Sequence, residues 1–249
     1  MEENMNCGSI LNYGLCAALV SLLVVGMTAA QQKKFGEDVF QAQGGDVRIA
    51  FIGHGTLMIT YADKVIHVDP VSMYADYETM PKADLILVTH EHGDHLDAKA
   101  IQALTTSRTT LITNQASAKG LSNASVMKNG DTRTVNEITI EAVPAYNPDK
   151  QFHPRGNGNG YVLNMGGKRV FVAGDTENVP EIKALKNIDV AFLPMNLPFT
   201  MTPEQVADTA KAMRPKILYP YHYGETDTNE LVRLMTGEKD IEVRIRDLK

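Results

Sequence analysis

The sequence has no tryptophan and only two cysteines, Cys7 and Cys16, both within its first 16 residues. A domain that begins after residue 30 therefore has no disulfide and no thiolate to offer a metal. Bases are also scarce, with 24 Lys and Arg against 30 Asp and Glu and a formal charge of −6. That balance, without any Lys-rich run, argues against a nucleic-acid binder, which needs a basic surface to meet phosphates. Charged residues at 22% and hydrophobic ones at 43% exclude wholesale disorder. The length of 249 residues suits one α/β domain with a sizeable core.

A second scarcity is local. No charge occurs between Asn4 and Gln32, and residues 15–26 read LCAALVSLLVVG before the small-residue stretch Met27-Thr28-Ala29-Ala30. This order predicts a signal peptide over residues 1–30, cleaved after Ala30, and an exported protein, periplasmic or secreted. Glu2 and Glu3 stand where such leaders carry bases, and initiation at Met5 removes both. The rival reading is an uncleaved membrane anchor, because residues 10–30 supply 21 positions, enough to span a bilayer. Loss of residues 1–30 takes two acids and no bases, which leaves −4. Residues 31–45 then read as a polar linker and 46–249 as the folded domain.

Short β-rich runs bounded by turn residues occupy 47–52, 56–61, 65–68, 110–112, 137–143, 160–164, 169–172, 190–193 and 217–219. The nearly unbroken apolar run 84–89 predicts a strand buried on both faces. Helices are expected over 98–104 and 203–213, the second with Thr202 as N-cap, Pro203 at its first position and Glu204 in the first turn. No sequence repeat is visible. Two β-rich halves with helices predict one layered α/β domain.

Directly after the run 84–89 the chain reads Thr89-His90-Glu91-His92-Gly93-Asp94-His95. Three imidazoles and two carboxylates so close together suit a metal, which takes neutral ring nitrogens and carboxylate oxygens as ligands. His90 and His92 can face one position while Asp94 and His95 turn to a second, and Glu91 between them is expected to point outward.

The His-x-His-x-Asp-His spacing of His90, His92, Asp94 and His95 resembles the hallmark of the metallo-β-lactamase superfamily. Further matches follow in order: Asp69 in Val68-Asp69-Pro70, Asp175 in Ala173-Gly174-Asp175-Thr176, and His222 in Pro220-Tyr221-His222-Tyr223. The resemblance implies an αββα sandwich with the metals at one sheet edge. It implies Asp69 as an acid that buttresses the metal loop, Asp175 as a bridging ligand and His222 as the last ligand. Gly53-His54-Gly55, Gly174-Asp175-Thr176 and residues 199–204 resemble the ascorbate-phosphate lactonase-like branch rather than antibiotic-degrading members, many of which need a Cys ligand.

One departure concerns the third histidine that the family supplies to the first metal. Asn147 stands near the expected place, and His153 follows six residues later in a Gly-rich loop. His153 is favoured because imidazole binds a borderline metal better than a carboxamide oxygen. The alternative is a loop histidine that contacts substrate beside a weaker first site. His54, between two glycines, reads either as support for the site and its substrate or as a turn histidine. His67 should face away from Val68 and bond within the fold.

The function so implied is hydrolysis of an ester, lactone or phosphodiester-type small molecule by a metal-bound hydroxide, with Asp94 and Asp175 holding it and moving its proton. Coordination lowers the pKa of water to ~7, which makes this nucleophile available at neutral pH. Two divalent ions are expected: zinc first, with manganese or iron compatible with an all-nitrogen-and-oxygen shell. No nucleic-acid partner is expected, and a membrane only if the leader stays. Two rivals differ in kind: a non-catalytic metal-binding or sensing module, and an iron-dependent oxidoreductase, whose diiron relatives carry Glu where this chain has His92. Loops 71–82, 147–158 and 197–202 should form the pocket rim, with Tyr74, Tyr77, Phe152 and Phe199 as candidate walls. Lys150 and Arg155 are candidates to meet a phosphate.

Overall fold

Residues 35–249 are described by the computed structural model, so the expected leader at 1–30 lies outside the described residues. The chain forms two seven-stranded sheets. The first holds β1 (Gly36–Phe40), β2 (Val47–Gly53), β3 (Thr56–Tyr61), β4 (Lys64–Val68), β5 (Leu85–Leu87), β6 (Thr110–Thr113) and β7 (Ser125–Val126), in that spatial order. The second holds β8 (Thr132–Val135), β9 (Ile138–Ala145), β10 (Gly158–Met165), β11 (Lys168–Val172), β12 (Val190–Pro194), β13 (Ile217–Tyr221) and β14 (Glu242–Val243), again in chain order.

The two sheets share one pattern. In each, the first four strands pair antiparallel and the last three continue in parallel. The halves thus share one strand-pairing plan, although no repeat is legible in their residues. Hairpins join the antiparallel strands, the longest being the 146–157 loop between β9 and β10, whereas the parallel ones need crossovers, and these carry the helices. Helix α1 (Ala98–Leu104) links β5 to β6, α2 (Pro180–Lys183) links β11 to β12, α3 (Pro203–Met213) links β12 to β13, and α4 (Thr228–Met235) links β13 to β14.

Strand alternation divides the core. Val47, Ile49 and Phe51 of β2 and Leu85 and Leu87 of β5 join the large cluster that also takes Tyr161, Phe171, Phe192 and Tyr219 of the second sheet. Ala50, Ile52 and Ile86 point the opposite way, into a smaller cluster closed by Ala100, Ile101 and Leu104 of α1. Burial of β5 on both faces explains its unbroken apolar run. Helix α3 carries the expected cap: Thr202 accepts from the Gln205 amide, the Gln205 side chain bonds back, and Pro203 fills the first position. The architecture is the expected αββα sandwich.

Two expectations need correction. The stretch 31–45 is not all linker, since β1 pairs with β2 from Gly36↔Phe51 to Phe40↔Val47 and adds an edge strand. Tyr77 is no pocket wall: it is 3% exposed, packs in the α1-side cluster, and its hydroxyl oxygen accepts from the Val71 amide.

Candidate metal centre

The site gathers where strands end. Asp69 follows β4 in a left-handed conformation (φ 45°), tied by its amide to the Leu87 carbonyl at 2.9 Å. Its buried carboxylate accepts from the Thr89 amide at 2.8 Å, the Thr89 hydroxyl at 2.7 Å and His95 Nδ1 at 2.8 Å. Asp69 therefore clamps the loop 89–95 at both ends.

The protons can be assigned from these partners. His95 donates from Nδ1, which turns Nε2 inward. The Thr89 hydroxyl gives its proton to Asp69, so its oxygen accepts from His90 Nδ1 at 3.0 Å and frees His90 Nε2. His153 Nδ1 donates to Asn147 Oδ1 at 2.6 Å and likewise frees Nε2. The Asn147 oxygen also accepts the His153 amide at 3.1 Å, and the Asn147 amide donates to the His153 carbonyl at 2.8 Å. His153 and Asn147 are thus not rivals: the imidazole faces the site and the carboxamide stands behind it.

Three groups of donor atoms, each within 4.8 Å of one another, result: His90, His92 and His153; His54, Asp94, His95 and His222; and His90, His95 and Asp175. Asp175 reaches both sides. One carboxylate oxygen lies 3.3 Å from His95 Nε2, and the other lies 3.2 Å from His153 Nε2 and 3.4 Å from His222 Nε2. His222 Nε2 also lies 3.4 Å from Asp94. Buried polar atoms normally find partners, yet His90 Nε2, His95 Nε2, His222 Nε2 and Asp175 Oδ1 make no hydrogen bond among the described residues. Orphaned lone pairs converging from several elements fit divalent cations, and the all-nitrogen-and-oxygen set suits a borderline or hard ion.

Electrostatics agree. Burial opposes ionisation of Asp175, but the field of His222 and His95 outweighs it and holds the carboxyl well below the usual range. Burial also works against Asp94, and the close approach of His222 and His54 brings it far below its ordinary value. Burial pushes His90 well down, so its imidazole stays neutral.

A cavity of about 250 Å³ opens over both groups, lined by His92, Asp94, Phe152, His153, Asp175, Asn196, Phe199 and His222. Phe152 and Phe199 meet edge to face at 5.0 Å, each 41% exposed. Glu91 is exposed, as expected, and accepts from the Asn157 amide group at 2.5 Å. His67 is buried away from the site with Nε2 on the Pro81 carbonyl at 3.1 Å. Tyr74 stacks on His54 at 5.6 Å rather than walling the cavity.

Lys150 and Arg155 require correction. Lys150 pairs with Glu177 at 2.7 Å and donates to the Thr200 carbonyl, while Arg155 pairs with Glu181 at 2.7 Å and lies over the Tyr146 ring. Each is held by its own acid and lines no part of the cavity, so neither is poised for a phosphate. Asn196, which lines the cavity, was not singled out from sequence. Its signal is positional only, as the second residue past the end of β12.

A sandwich with clustered histidine and aspartate donors at its strand ends defines a class, and comparison with known proteins identifies it. The Beta-lactamase superfamily domain matches residues 48–222. A metal-dependent hydrolase of Thermococcus kodakarensis is 30% identical over 213 residues, covering 78% of this chain and 95% of its own. A crystal structure from Parabacteroides distasonis, described as a metal-dependent hydrolase, shares 54% identity with a TM-score of 0.84, over 87% of this chain and all of that one. The metallo hydrolase Igni18 of Ignicoccus hospitalis shares the fold at 22% identity and TM-score 0.69, covering 81% of this chain and 95% of its own. The chain belongs to the metallo-β-lactamase superfamily, among its metal-dependent hydrolases.

Proposed function

We propose that the protein hydrolyses a small ester, lactone or phosphodiester-type substrate at a dinuclear centre held by His90, His92 and His153 on one side and Asp94, His95 and His222 on the other, with Asp175 between them. The observation that carries this reading is the convergence of unpartnered buried donors on the floor of a solvent-reached cavity. Two divalent ions held there, zinc in the first instance, would lower the pKa of a water to ~7 and polarise the bond under attack.

The chain's own residues do the rest. Asp94 is nearly half exposed at the cavity, so it can take the proton of an attacking water and return it to the leaving group. Asp175 is buried and bridges the two donor groups, which fixes their spacing. Phe152 and Phe199 offer an apolar wall for the part of the substrate that does not react, and Asn196 an amide for a polar group on it. The placement of Asn147 behind His153 favours a complete first position and hence an enzyme over a sensing module. His92, where the diiron relatives carry Glu, favours hydrolysis over oxygen chemistry.

The test is a screen of lactones, phosphodiesters, thioesters and β-lactams with metal-reconstituted protein, together with metal analysis of the same sample. Turnover should vanish in His92→Ala and Asp94→Ala. Turnover that survives both substitutions in pure protein would sink the proposal. Export through residues 1–30 belongs to the same reading, and a mature chain in the exported fraction beginning at Gln31 is its expected signature.

A further inference from the structure

His54 is the one histidine near the centre that the scheme above leaves without a task. It sits between Gly53 and Gly55 with φ 53°, a left-handed conformation uncommon outside glycine. A turn needing only that backbone would be served at lower cost by glycine or asparagine. The ring is held on all sides: Tyr74 stacks on it at 5.6 Å, the His222 ring lies 3.7 Å away, and Nδ1 lies 3.0 Å from the Lys249 backbone oxygen.

That last contact fixes the proton. A backbone oxygen offers only lone pairs, so Nδ1 carries the hydrogen, and a neutral imidazole then presents a bare lone pair at Nε2. This lone pair faces the carboxylate oxygen of Asp94 at 3.3 Å. With the ring neutral, two lone pairs at that separation repel. A cation between them turns the repulsion into two bonds to one ion. The same Asp94 oxygen is the one that His222 Nε2 approaches, and the donor atoms of His54, Asp94, His95 and His222 all lie within 4.8 Å of one another.

We propose that His54 is a ligand of the second metal position through Nε2, oriented by the backbone oxygen behind it. The inference rests on the metal-dependent reading of the site and adds a donor to it. It makes the two positions unequal: three imidazoles serve the first, and three imidazoles with a carboxylate serve the second, Asp175 being shared. The second position should therefore fill first.

The test uses the full chain labelled with 15N-histidine and loaded with 113Cd2+. At two equivalents, nitrogen–cadmium coupling is expected at His54, grouped with His95 and His222 on one cadmium, and at His90, His92 and His153 on the other. His54→Ala should weaken one cadmium affinity by about tenfold or more while sparing the other. The melting temperature of the metal-free variant checks that it folds, and the labelled unmutated protein needs no variant at all. A His54 ring protonated on both nitrogens, or uncoupled in fully loaded protein whose other five ligand histidines are coupled, overturns this inference alone. Failure to bind cadmium anywhere overturns it together with the metal-dependent reading.

Discussion

The His222 amide donates to the His54 carbonyl at 3.2 Å, and both residues stand in the left-handed region, at φ 46° and 53°. This bond ties the β2–β3 turn of the first sheet to the end of β13 in the second. Two strained residues from opposite halves of the chain thus fix each other, and both rings enter the same donor group. Such strain persists only where the surroundings over-determine it, and it concentrates at functional sites.

The turn that carries His54 tolerates no side chain at its next position. A Cβ on Gly55 would lie 2.7 Å from Cε1 and 3.1 Å from Nδ1 of His95, whose ring is fully buried and tied to Asp69. Gly55→Ala must therefore displace either the turn or the imidazole. We expect loss of affinity at the second metal position of about tenfold, the scale seen when ligand support is disturbed. Metal titration of the purified variant measures it, and an unchanged second affinity would show that the turn moves instead.

Asn147 holds His153 through the short bond to Nδ1 and closes the 147–153 loop with two further bonds. Asn147→Ala removes the acceptor and leaves the imidazole free to rotate or change tautomer. The first metal position should weaken by roughly 10–100-fold with the second little changed. Asn147→Asp retains an acceptor oxygen and should hold most of the affinity. Equal losses in both variants would mean that loop geometry, not the acceptor, is what matters.

Short β-rich runs bounded by turn residues made β2, β3 and β10 readable, and an unbroken apolar run made β5 readable, because side-chain pattern and strand environment correspond directly. The metal loop was legible from spacing alone. Asp175 and His222 needed a resemblance, since single residues far apart in sequence carry no periodicity. What stayed hidden depends on long-range closure. Strand β1 is largely exposed at the sheet edge, so GEDVF shows no apolar face. Lys150 and Arg155 looked free until the fold brought Glu177 and Glu181 to them, and the partnership of Asn147 with His153 exists only once the loop closes.

Strand β1 earns its place through Asp38. Its carboxylate accepts from Arg246 at 2.7 Å, from Arg244 at 3.2 Å and from the Tyr219 hydroxyl, so an edge residue pins the C-terminal segment against β13. Burial would raise the Asp38 carboxyl, but these hydrogen bonds bring it below its ordinary value. Asp38→Asn leaves two guanidinium groups without their shared anion, in a setting only 14% exposed at the acid. A loss of about 2 kcal/mol is expected, less than for a fully buried pair. Urea unfolding should show it as a lower midpoint at unchanged slope, with metal affinity intact.

His67 supplies the pH dependence of stability that is independent of the metals. Its ring is completely buried, Nε2 faces the Pro81 carbonyl, and Nδ1 has no hydrogen-bond partner among the described residues. Burial, only partly offset by the Pro81 bond, brings its pKa down from 6.5 to about 4. Between those values the unfolded chain binds a proton that the folded protein refuses, so stability falls as pH drops from 6.5 and levels off below 4. The full difference amounts to roughly 3 kcal/mol by linkage. His67→Gln keeps a donor for Pro81 but cannot titrate. The unfolding free energy of metal-free protein, compared at pH 7 and pH 4.5, should fall more steeply for the parent than for this variant. Parallel pH profiles would mean that the buried imidazole takes up its proton without loss.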